Sequence, residues 1–171
     1  DSGVGGDLSL SAGSTSDAAD GGSIIAQGGQ GASGGMLALT SGMGTDSSGG
    51  TIVLSVGDGF SGTGGSVNIT GGTTIGPGVG GSVNLTGGEG GIGGSIVLSG
   101  GAGSTSVGGN VTFQTGPSEL STGSIALSTQ PGASSGVSGE ITLRTGDALA
   151  GSSGQVSIET GDSPVAGEIS L

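Results

Sequence analysis

The chain has 171 residues, of which 47 are glycine and two phenylalanine, with no tryptophan, tyrosine, cysteine or histidine. Soluble domains average about 7% glycine, so this composition excludes a core of aromatic side chains and any disulfide framework. The net charge of −12, with Arg144 the only basic residue, excludes the phosphate contacts that dominate nucleic-acid affinity, and attachment to anionic lipid.

Glycine loses the most backbone entropy on folding, so a regular, hydrogen-bond-rich structure is needed to offset it. Disorder is the alternative. Against it stand a mean hydropathy of +0.22 and a charged fraction of only 8%. The apolar runs are a few residues long, too short to span a membrane. The chain shows no signal peptide and does not begin with Met, which is expected of a mature form or part of a longer chain.

In chain order, twelve short segments recur, each opening on glycine. They are GDLSLS at Gly6, GSIIAQ at Gly22, GMLALT at Gly35, GTIVLS at Gly50, GSVNIT at Gly65 and GSVNLT at Gly81. Then follow GSIVLS at Gly94, GNVTFQ at Gly109, GSIALS at Gly123, GEITLR at Gly139, GQVSIE at Gly154 and GEISL at Gly167. The opening glycines lie about 15 residues apart. Each segment alternates with period two, the mark of a strand with one buried face. In the sixth, Val83 and Leu85 point one way, while Ser82, Asn84 and Thr86 point the other. An apolar residue four before the first core position recurs as Val4, Ile92, Val107, Val137 and Val165, and is expected to plug a corner. The intervening loops carry the Gly, Ser, Asp and Pro of turns.

This pattern predicts an all-β fold, a parallel β-solenoid of twelve short strands. Glycine and β-branched density disfavours helix, and collagen would need glycine at every third residue. Two coils fit: one segment per turn of about 15 residues, or two segments per turn of about 30. The second buries Val-x-Leu strands against each other as two opposed flat sheets and is the expected form. Residues 1–171 are then a single array without capping segments. Such an array is expected to continue in a longer chain or to self-associate end to end.

Catalysis is not expected, because His, Cys and Lys are absent and the carboxylates are dispersed. No cofactor is expected either. Asp58, Asp147 and Asp162 sit in loops that echo calcium-binding nonapeptide repeats, but one carboxylate per loop is too few ligands. Their expected role is turn formation. All three asparagines of the chain, Asn68, Asn84 and Asn110, stand in Asn-x-Thr acceptor sequences without proline. Asparagine is depleted in strands, so its placement at outward positions makes these three the candidate N-glycosylation sites.

The repeats resemble the Gly/Ser/Thr-rich tandem repeats of cell-surface and adhesin-like β-solenoid proteins, including those predicted from algae and other aquatic microbes. The resemblance implies an extracellular or cell-surface setting and a structural role in a fibre, appendage or stalk; the short apolar runs predict no membrane insertion. The hydroxyl-rich outer face also resembles the insect-type antifreeze β-solenoids. That resemblance lacks a Thr-x-Thr rank, since the central outward positions run from Ser9 and Ile25 to Ser157 and Ser170. Ice binding or carbohydrate adhesion by one flat face is the alternative it implies.

Overall fold

The computed structural model describes residues 3–16, 18–165 and 167–170. Among these there is no helix and no β-strand. The expected β-solenoid is therefore overturned: the described residues form no sheet, no ladder and no coil of either size. The chain divides into two compact units, Asp1–Asn84 and Leu85–Leu171. The last residue of the final segment, Leu171, lies outside the described residues.

The period-two pattern is nevertheless expressed. Ile96 and Leu98 are 51% and 57% exposed, while Val97 between them is 82% exposed. Ile24 and Ile25 differ likewise, at 59% and 85%. Each of these segments thus has a more sheltered and a more exposed side, as extended backbone requires. The sheltered side has no partner layer among the described residues, and no apolar side chain among them is buried. The expected corner residues Val4, Ile92, Val107, Val137 and Val165 are exposed and plug nothing.

Surface area gives the scale of this openness. The accessible surface is 16687 Å². A folded monomer of 15.3 kDa exposes about 7,100 Å², and its unfolded chain roughly 22,000 Å². About 9,500 Å² of surface that a folded domain of this mass would cover is therefore open to solvent.

Order in the chain resides in the loops. From Gly22 onward, the glycine that opens a segment approaches the end of the segment before it, and the two form a neck. Among the described residues six necks are closed by a backbone hydrogen bond. The amide of Gly22 donates to the Gly13 carbonyl at 2.9 Å, and at 2.8 Å Gly35 donates to Gly29, Gly50 to Gly42, Gly81 to Gly72, Gly94 to Gly88 and Gly109 to Gly101. The necks 57–65, 116–123, 130–139 and 146–154 have no such bond. The neck 161–167 includes Ala166, outside the described residues.

One position separates closed necks from open ones. The residue just before a closed neck is Ala12, Gly28, Ser41, Gly71, Gly87 or Gly100. Before an open neck it is Val56, Thr115, Thr129 or Thr145. The cause is steric. A Cβ on Gly28, Gly71, Gly87 or Gly100 would run into the carbonyl oxygen of the glycine across the neck. A Cβ on Gly81 would sit 2.8 Å from the Gly72 nitrogen. At the open necks the β-branched side chain fills this space. A Cβ on Gly139 would meet Thr129 Cγ2 at 3.2 Å, and one on Gly154 would meet Thr145 Cγ2 at 3.4 Å. Two open loops turn instead on glycines in the left-handed region, Gly62 with φ of 105° and Gly151 with φ of 117°.

The failure of the solenoid has a physical reason in the segments themselves. Each offers few apolar side chains against the entropy cost of its glycines. The opening glycines are also unevenly spaced, with Gly22 and Gly35 closer in sequence than Gly65 and Gly81, so adjacent turns would carry loops of unequal length.

The steric rule makes a direct prediction. Gly100→Val opens the neck at Gly101 and Gly109, and Val56→Gly closes the neck at Gly57 and Gly65. Amide hydrogen exchange should quicken about fivefold at Gly109 in the first variant, the value of one net hydrogen bond. It should slow similarly at Gly65 in the second. Unchanged exchange at both glycines would sink the rule.

Candidate functional site

The glycan-acceptor asparagines are placed by the necks around them. Asn84 lies on the segment between two closed necks, 72–81 and 88–94. Asn110 directly follows Gly109, the donor of a third. Asn68 follows the open neck 57–65 and precedes 72–81. All three asparagines, and Thr70, Thr86 and Thr112 two residues on, are exposed. Each acceptor stands on its own segment.

Two polar pairs add to what the sequence reading anticipates. Thr142 Oγ1 donates to Glu140 Oε1 at 2.8 Å, and Ser157 Oγ donates to Glu159 Oε1. Both join residues two apart, which share a side only when the backbone is extended. The signal in the sequence is a hydroxyl two positions from a glutamate on the outward parity, in GEITLR and GQVSIE. Each pair is exposed and ties a carboxylate down beside a hydroxyl.

Loop hydroxyls serve the backbone. Ser118 Oγ accepts from the Leu120 amide at 3.2 Å and Ser163 Oγ from the Val165 amide at 3.3 Å, both turn-forming contacts. Thr74 Oγ1 donates to the Val79 carbonyl at 2.9 Å, bracing the loop inside the closed neck 72–81. Gly136 donates to the Ala133 carbonyl at 2.6 Å, forming a tight turn within 130–139. Among the described residues no three acidic side chains gather into a metal-binding group, and there is no cavity. No helix among them is long and apolar enough to cross a membrane.

Neither a protein-family model, a curated protein nor a solved structure matches the chain. Its chemistry therefore rests on its own residues: exposed amides, hydroxyls and carboxylates at repeating positions.

The dispersal of the loop carboxylates sets an expectation for calcium. Titration calorimetry should show no saturable site tighter than ~1 mM, the range of the weakest extracellular modules. A micromolar site would mean that Asp58, Asp147 or Asp162 draws in further ligands.

Proposed function

We propose that the chain is a structural repeat module of an extracellular fibre, appendage or surface stalk. Copies assemble end to end by pairing extended segments between chains. One observation carries this reading: the repeated apolar side of the segments is half sheltered and has no covering layer among the described residues. Isoleucine, valine and leucine recur there on an otherwise Gly- and Ser-rich chain, at the density and parity that strand pairing uses. The excess surface of about 9,500 Å² exceeds several times the roughly 1,200–2,000 Å² of a standard interface. The role is mechanical. Backbone hydrogen bonds between copies supply stiffness, while outward hydroxyl, Asn and acidic side chains keep the surface hydrated.

Charge regulates this assembly. A net charge of −12 on every copy opposes association. Raising salt from ~10 mM to ~1 M shortens the screening length from about 30 Å to about 3 Å. Light scattering should show assemblies growing across that range, and electron microscopy should show filaments. Monomers at every salt concentration would rule the reading out.

Asn68, Asn84 and Asn110 are proposed as N-glycan acceptors on the outer surface of that fibre. In protein isolated from its native source, enzymatic removal of N-glycans should leave aspartate at Asn68, Asn84 and Asn110, read by mass spectrometry of the peptides that contain them. Unmodified asparagine at all three positions would remove the glycan proposal and leave the fibre.

A further inference from the structure

The spacing of closed necks is itself periodic. The neck Gly13–Gly22 recurs as Gly72–Gly81, displaced by 59 in the numbering at both ends. The same offset relates Gly88 to Gly29, Gly94 to Gly35, Gly101 to Gly42 and Gly109 to Gly50. Loop lengths therefore run ten, seven and nine residues, and then ten, seven and nine again. Each series ends at an open neck, after Val56 in the first and Thr115 in the second. Residues 13–57 and 72–116 are two copies of one block. The uneven spacing of the segments is the internal order of that block.

The match extends to chemistry. At an offset of 59, every glycine of residues 13–57 meets a glycine. Ile24 corresponds to Val83, Leu37 to Ile96, Leu39 to Leu98, Ile52 to Val111 and Leu54 to Phe113.

We infer that the partner of residues 72–116 is residues 13–57 of a second copy of this chain, so that neighbouring copies are staggered by the offset between the two blocks. The inference rests on the proposed self-assembly and specifies its register. Each shorter stagger sets loops of unequal length against each other. A shift of one segment sets the ten-residue loop 13–22 against the seven-residue loop 29–35. A shift of two sets 29–35 against the nine-residue loop 57–65, and a shift of three sets it against the ten-residue loop 72–81. Charge decides between the block stagger and none. Without stagger, every carboxylate faces its own copy, and directly opposed like charges destabilise paired segments. With it, Asp17, Asp20 and Asp46 correspond to Gly76, Val79 and Thr105, and Glu89 corresponds to Gln30. No carboxylate of either block is then set against another. The contact is also heterologous, joining one surface to a different one, and such contacts build rings or open filaments rather than two-fold dimers.

Single-cysteine chains test the register, because the native chain has no cysteine. Thr40 and Ser99 are exposed and occupy equivalent places in equivalent segments. One chain carries Thr40→Cys and the other Ser99→Cys. They are mixed in equal amounts at high salt, and the assemblies are oxidised. Paired segments about 4.8 Å apart place the Cα atoms within disulfide range. The mixed disulfide should exceed each homotypic disulfide by about tenfold, the effect expected when several like-charge oppositions are avoided. Assemblies giving mainly homotypic disulfides, or the statistical mixture, overturn the stagger while leaving self-assembly intact. Chains that stay monomeric overturn both.

Discussion

The close approach of two glycine backbones at a closed neck is the contact on which the remaining order depends. At neck 88–94, Gly87, Gly88 and Gly94 come so near that a methyl group on Gly87 would meet the Gly94 carbonyl. The Gly94 amide reaches the Gly88 carbonyl at 2.8 Å because nothing stands between them. Where a threonine or valine takes the position of Gly87, the γ atoms hold the two sides of the neck apart. Glycine abundance, costly in entropy everywhere, is thus used at specific places. The rule is also graded, since Ala12 and Ser41, neither of them branched at Cβ, still permit closure.

A chain organised this way is locally ordered without a core among its described residues. Its hydrogen bonds close loops of seven to ten residues, so the ordering is short in sequence and costs little loop entropy. The segments between the loops keep their alternation but find no layer to pack against. This separates two things usually met together, a strand-like pattern and a sheet. The pattern is a property of the segment; the sheet needs a neighbour at constant pitch. Here the neighbours in sequence arrive at unequal intervals, and the segment with matching surroundings is the fourth one further along.

Much of the local organisation is legible in the sequence. The twelve segments, their flanking glycines and the parity of residues such as Ile96 and Leu98 all follow from period-two alternation. Asn68, Asn84 and Asn110 fall on the outward parity and are exposed. The tertiary reading fails because apolar side chains at strand parity do not by themselves guarantee a layer to cover them. Treating the segments as evenly spaced also conceals the ten, seven and nine of the loops. In the sequence, Val56, Thr115, Thr129 and Thr145 look like ordinary ends of segments. Only the structure shows that the loops following these β-branched residues lack the backbone hydrogen bond across the neck. The Thr142–Glu140 and Ser157–Glu159 pairs are readable from parity, because residues two apart on an extended backbone share a side.

A closed neck also stores length. Pulled at its ends, the chain meets at each one a single backbone hydrogen bond that shunts tension past a loop of seven to ten residues. When that bond yields, the loop straightens and adds roughly 15–25 Å, its Cα steps at about 3.4 Å each less the ~5 Å already spanned by the neck. No covalent bond breaks, and the glycine pair can re-form its contact once the load is removed. Each closed neck among the described residues is therefore a small reserve of length, kept or released by the residue that precedes its loop.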